Sequence, residues 1–320
     1  MPHDGVANTR STGTAAPARA RNDRYRNAVR VRVRNDRYRN TSTGTERPAE
    51  DTPMTDPGDG ITTIDTAKAH SARIYDYILG GKDHYPVDAA AAEQVLKVLP
   101  GARQAAHANR GFMRRAARLL ARRGLRQFLD VGTGIPTRPN LHQVVQEVVP
   151  DARITYVDHD PVVLRHAEAL LRGTPAGRTE YIQADVREPE KILAGAREVL
   201  DFDEPVVVST IALLHFVGDD ADPRGLLEAL LEPLAPGSAL MLSHGTADFD
   251  PATMAGIVEI YRANGVLLRM RSHAEIGELV AGLDLLEPGL VALEEWPHEP
   301  EDEALDTAGT PVYTCVGFKR

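Results

Sequence analysis

The 320-residue sequence has a single cysteine, Cys315. That excludes an internal disulfide framework and any multi-cysteine zinc site, and it fits a reducing, cytoplasmic compartment. No run of eighteen apolar residues occurs, so no membrane-spanning helix is expected. The basic N-terminus lacks the apolar stretch and cleavage site of a secretory signal. Outside that terminus positive charge is outnumbered, 26 basic against 41 acidic residues. The net charge is −9, yet residues 1–50 carry 11 Arg against 5 acidic residues, leaving the remainder at −15. An acidic body argues against the basic groove of a nucleic-acid enzyme. A hydrophobic content of 42% with 26% charged residues is ordinary for a globular protein able to bury a sizeable core.

Residues 1–60 lack apolar periodicity and read as a disordered, Arg-rich tail. Arg-Asn-Asp-Arg-Tyr-Arg-Asn occurs there twice, at 21–27 and 34–40. An Arg/Tyr arm of this kind suits an anionic surface; a leader without a role is the plainer reading. Met54 is a plausible alternative start, which would leave residues 1–53 outside the native chain.

Ordered structure is expected from about Thr66. Helical spacing occupies 87–99 and 106–123, within an N-terminal helical segment spanning 61–126. From Gln127 short apolar strands alternate with helices. Strands are read at 127–131, 153–157, 180–183, 205–209, 238–243, 289–295 and 311–318. Helices are read at 140–149, 161–172, 188–196, 223–233, 251–264 and 273–283. This is an α/β pattern over 127–320, a doubly wound, Rossmann-like sheet of seven strands whose last pair suits an edge hairpin.

In such a sheet the ligand lies beyond the carboxyl ends of the strands. The first strand ends in Asp130-Val-Gly-Thr-Gly134, where Gly132 and Gly134 permit a sharp turn and a close backbone approach. Position 137 is Thr rather than the third glycine of a dinucleotide fingerprint, and Pro136 delays the helix. Asp130 ahead of the glycines suits a cationic group. Asp158, ending the second strand, suits a ribose diol, whereas Asp160 reads as a helix cap. Asp185, after the third strand, suits an adenine amine, with Val186 along the ring. Three acids at successive strand ends are more specific than any one.

Phe128–Ile135, Val157–Pro161 and Ala184–Val186 resemble the three cofactor motifs of class I S-adenosylmethionine-dependent methyltransferases. The resemblance is closer to the actinobacterial S-adenosyl methyltransferase family, once a domain of unknown function. It rests on Ala72-Arg-Ile-Tyr-Asp-Tyr-Ile-Leu-Gly-Gly-Lys-Asp83, Asn109-Arg-Gly-Phe112, Gly132-Thr-Gly-Ile-Pro-Thr137 and Val157-Asp-His-Asp-Pro-Val-Val163. It covers about residues 66–320. It implies S-adenosylmethionine as cofactor, leaving as S-adenosylhomocysteine. Gly132, Thr133 and Gly134 would then pass its methionine part, with Asp130 near the amine. Asp158 and His159 would lie at the ribose, Asp185 and Val186 at the adenine. Ser209 and Thr210 would line the methionine side and the substrate mouth. The resemblance supplies no methyl acceptor.

Tyr75–Tyr85 is dense in polar aromatics around Gly80-Gly81-Lys82 and reads as a lid, with Tyr75, Tyr77 and Tyr85 free to face a sulfonium or substrate. Methyl transfer requires no fixed triad, and none is present. His215, His244 and Asp76 are candidate bases, although each His equally suits a satisfied polar residue. Asp219, Asp220 and Asp222 read as a solvated acidic loop, so no metal is expected. The leading expectation is a methyltransferase acting on a small molecule, with a homodimer compatible with it. A non-catalytic S-adenosylmethionine-binding regulator and a nicotinamide-dependent reductase are the alternatives.

Overall fold

The computed structural model describes residues 66–163, 166, 173–298 and 309–320. The expectations for residues 1–60, including Met54 as a start, lie outside them, as does most of the helix expected at 161–172. All described elements belong to the unit Asp65–Arg320.

Five strands run parallel: β1 (Gln127–Val131), β2 (Arg153–Asp158), β3 (Arg178–Gln183), β4 (Val206–Ile211) and β5 (Ala239–Gly245). Two short strands, β6 (Asp284–Leu285) and β7 (Val291–Ala292), and the final β8 (Val312–Phe318) complete the sheet. The order is β3-β2-β1-β4-β5-β8-β6, with β7 also paired to β8. β8 runs antiparallel between β5 and the edge. The sheet thus has seven positions, and two short strands share the last one. The strand expected at 289–295 shrinks to Val291–Ala292, because a 3-10 turn takes over at Leu293–Glu295 and buries Leu293.

Period-two alternation sorts the strand side chains onto two faces. Leu129, Val131, Val206, Val208 and Leu240 pack beneath α5 (Pro189–Ala196), α6 (Pro223–Leu231) and α8 (His273–Leu279). Phe128, Ile154, Tyr156, Val207 and Met241 pack beneath α3 (Ala102–Arg122) and α4 (Leu141–Val148). Both faces are covered, as the apolar strand runs require. α4 is anchored by a capping box in which Gln143 Oε1 accepts the Asn140 N–H at 2.8 Å.

A third apolar cluster joins α1 (Ser71–Ile78), α2 (Pro86–Val98), the first turns of α3 and α7 (Pro251–Ala263), through Ile74, Ile78, Val95, Ala106, Met254 and Ile257. α3 therefore serves two layers. Its start supports α1 and α2, while Ala108–Ala121 lies on the sheet. No helix among the described residues is long and apolar enough to cross a membrane.

Candidate active site

Strand order reverses between β1 and its neighbours β2 and β4, and a cleft opens at their carboxyl ends. It encloses about 1120 Å³ and is open to solvent. Its floor is the turn after β1. Gly132 adopts φ +75° and donates its N–H to the Val157 carbonyl at 2.8 Å; Thr133 donates to the same carbonyl at 3.0 Å. A Cβ on Gly132 would stand 2.5 Å from Leu213 Cδ1. Glycine is needed there for both its conformation and its lack of bulk. The next helix, α4, begins only at Leu141. A pyrophosphate would find no helix N-terminus at this turn.

Of the four carboxylates that line the cleft, three stand at or just after strand ends. Asp130 shares the strand face of Phe128, toward α3. It accepts the Ser209 hydroxyl at 2.7 Å. Burial pushes its carboxyl up, and the Ser209 bond and the nearby Arg110 guanidinium oppose that shift. Arg110, on α3, donates to the Thr137 carbonyl at 2.8 Å and also lines the cleft. Asp158 accepts N–H groups from Gly134 at 2.7 Å and Asp160 at 3.0 Å. Burial raises its carboxyl too, against those two bonds. Asp185 accepts the Arg187 Nε–H at 2.8 Å, and this pairing holds its carboxyl below the ordinary value. Buried Val186 lies beside it in the wall.

His159 also lines the cleft, with its Nε2 3.0 Å from His70 Nε2. Tyr75 and Asp76 reach it from α1. Asp76 Oδ2 accepts the Asp83 N–H at 2.9 Å and lies 3.1 Å from His84 Nδ1, so this carboxylate ties down the glycine turn.

Ser209 and Thr210 are fully buried and line neither cavity. β4 runs to Ile211, two residues beyond the expected end, so the mouth is formed by Ile211, Ala212 and Leu213. Thr210 shares the strand face of Val206 and Val208, opposite to Ser209, and packs on the far side of the sheet. Tyr77 and Tyr85 stay outside both cavities. The Tyr77 hydroxyl donates to Glu93, and the Tyr85 ring lies 5.1 Å beneath the Arg73 guanidinium. Gly80, Gly81 and Lys82 likewise line neither cavity.

A second cavity, of about 740 Å³, shares Tyr75, Asn109, Ala212 and Phe216 with the cleft. His215 and His244 line it. Arg271 donates to His244 Nε2 at 3.0 Å, so the ring proton sits on Nδ1, which lies 2.7 Å from the Gly245 carbonyl. Both nitrogens are engaged, and burial lowers the imidazole to about 4. His215 Nδ1 accepts the Gly245 N–H at 3.2 Å, which puts its proton on Nε2. Burial drives this imidazole well below its ordinary value. At neutral pH both rings are therefore uncharged. Asp219 pairs with Arg269 and Arg271, and Asp222 caps α6. Among the described residues no group of three His, Cys, Asp or Glu could hold a metal ion.

Asn109 and Arg110 received no role from the sequence. Their signal was a buried Asn on a helix face otherwise filled by Ala106, Ala108, Phe112 and Met113.

The S-adenosyl methyltransferase family matches residues 58–320. A DUF574 family protein of Streptomyces avermitilis MA-4680 is 44% identical, with a TM-score of 0.77 over 80% of this chain and 99% of that one. A candidate methyltransferase from Thermobifida fusca YX is 37% identical, with a TM-score of 0.72 over 80% and 97% of the two chains. No curated protein matches the chain. The paired glycine turn, the carboxylates ending β1 and β2 with a third just after β3, and a family match across most of the length lead to one assignment: the chain belongs to the S-adenosyl methyltransferase family.

Proposed function

We propose that this S-adenosylmethionine-dependent methyltransferase methylates an oxygen or nitrogen nucleophile on a small molecule. The observation that carries the reading is the junction of two unlike spaces, a cleft lined by four carboxylates with Arg110 and Arg187, and an adjoining cavity that no Lys, Arg, Asp or Glu lines among the described residues. The donor set fits the cofactor. Asp130 suits the ammonium and Arg110 the carboxylate of its amino-acid end, Asp158 the ribose hydroxyls, Asp185 and Val186 the adenine. The glycine turn leaves room that a Cβ would fill.

Bound there, S-adenosylmethionine would supply a methyl group already activated on a sulfonium, with S-adenosylhomocysteine as leaving product and the nucleophile's proton released to solvent. The chain's own contribution is alignment and exclusion of water. His244 has no lone pair to offer, because Arg271 occupies Nε2. His215 presents Nε2–H and acts as a donor rather than a base. α1 and α2 form the lid, with Tyr75 its one tyrosine at the reacting space.

Calorimetry with S-adenosylmethionine, S-adenosylhomocysteine and NADPH tests the cofactor site. Binding of the first two and not the third is expected; the reverse would make the protein a reductase. Incubation with a metabolite extract, read as S-adenosylhomocysteine release and a product heavier by one methylene, tests turnover. Binding without turnover would favour a regulatory role.

A further inference from the structure

We infer that the second cavity receives the methyl acceptor and selects a neutral, flat, largely apolar molecule carrying one hydroxyl or ring N–H. The inference rests on the methyltransferase reading above and adds the acceptor's chemistry.

Charge decides first. Among the described residues, no Lys, Arg, Asp or Glu lines this cavity. An ammonium, carboxylate or phosphate entering it would lose hydration without gaining a counter-charge. A neutral molecule avoids that cost. The walls favour a ring. Phe216 and Tyr261 stand with centroids 5.9 Å apart at 42°, and Met254 and Met270 supply polarisable, adaptable surface.

Polar capacity decides the rest. The Tyr75 hydroxyl is spent, donating to the Ala106 carbonyl at 3.1 Å and accepting Asn109 Nδ2–H at 3.2 Å. That pairing fixes the Asn109 amide so that Oδ1 is its remaining acceptor. Among the described residues Oδ1 has no hydrogen-bond partner, although Asn109 is only 3% exposed. A buried acceptor left unpaired forfeits its hydration with nothing in return. An incoming O–H or N–H removes that cost. Asn109 lines both the cleft and the cavity, so a nucleophile bonded to it stands where the two spaces meet. His215 Nε2–H adds a donor for a carbonyl or ring nitrogen elsewhere on the same molecule.

The test uses three probes of one shape, namely naphthol, naphthoate and naphthylmethylammonium, titrated at neutral pH with and without S-adenosylhomocysteine. Naphthol should bind about tenfold more tightly than either ion, a difference of about 1.4 kcal/mol. Ala105→Phe fills the cavity from α3, because Ala105 lines it and not the cleft. This variant should weaken naphthol about tenfold and keep S-adenosylhomocysteine affinity within about twofold. Should Ala105→Phe fail to fold, Met270→Phe fills the same space from the segment after α7 and carries the same expectation. Ions binding as well as naphthol, or filled variants binding naphthol unchanged, would overturn the inference. Normal S-adenosylhomocysteine binding without naphthol binding would also overturn it, and would leave the methyltransferase reading standing. Loss of S-adenosylhomocysteine binding by the wild type would instead strike that reading.

Discussion

One carboxylate oxygen of Asp158 accepts the Gly134 N–H at 2.7 Å, which ties the end of β2 to the turn after β1. The other accepts the Asp160 N–H at 3.0 Å. The residue proposed to bind ribose therefore also shapes the turn that admits the methionine end. Asp158→Ala should remove both functions. Charge-assisted hydrogen bonds contribute about 1.5–3 kcal/mol each, so affinity for S-adenosylhomocysteine should fall by at least tenfold in calorimetry. Unchanged affinity would take Asp158 out of the site.

Gly132→Ala should be harmful for two separable reasons. The φ of +75° disfavours an L side chain, by roughly 1–2 kcal/mol. The new Cβ would also press on Leu213, 2.5 Å away, and overpacking costs typically about 1–3 kcal/mol. Pairing Gly132→Ala with Leu213→Ala should relieve only the second. Urea unfolding of the single and double variants, each compared with its own parent, reads the difference. Equal losses in both backgrounds would show that the Leu213 contact carries no cost.

The central sheet and its turn were legible because their determinants are local. Apolar strand runs, glycines and strand-end acids announce themselves within a few residues, and Asp130, Gly132, Gly134, Asp158, Asp185 and Val186 all line the cleft. Ser209 and Thr210 were misplaced because a strand boundary read two residues short moves the site with it. The states of the two histidines were not legible. Burial keeps both neutral, with Arg271 adding to it at His244 and at His215, relations set by tertiary packing. β6 was missed, and β7 came out shorter than the expected 289–295, for a similar reason, since each short strand is defined by β8 rather than by its own pattern.

His244 should make stability depend on pH. Burial lowers its folded value to about 4 from the ordinary 6.5, so the unfolded chain takes up the proton first as pH falls. Its contribution is complete above pH 6.5 and is lost progressively down to about pH 4, a change of roughly 3 kcal/mol at most. His215 is shifted the same way, so the wild-type profile contains both. His244→Gln retains an acceptor for Arg271 and removes one titration. Urea midpoints measured across this window should fall less steeply for the variant. Parallel profiles would show that folding does not lower the His244 value.

Arg73 is the residue whose loss should free α1 and α2 without unfolding the sheet. Its guanidinium reaches Asp88 at 3.0 Å, Asp160 at 3.4 Å and the Lys68 carbonyl at 2.7 Å, with the Arg73, Asp88 and Asp160 side chains all buried. α1 has only eight residues, too few to persist as a helix without tertiary support. Arg73→Ala would leave Asp88 and Asp160 buried without this counter-charge, a loss of about 3–5 kcal/mol when one partner of a buried pair is removed. The apolar cluster of α1, α2 and α7 is separate from the two that cover the sheet, so the loss should be local. Limited proteolysis with mass mapping should show new cleavage between residues 66 and 100 while far-ultraviolet dichroism changes little. S-adenosylhomocysteine affinity should also fall, because Asp160 supports Asp158. Arg73→Lys should recover only part of the protection, since an ammonium cannot span three acceptors in a plane. A cleavage pattern unchanged in Arg73→Ala would mean that the apolar cluster alone holds these helices.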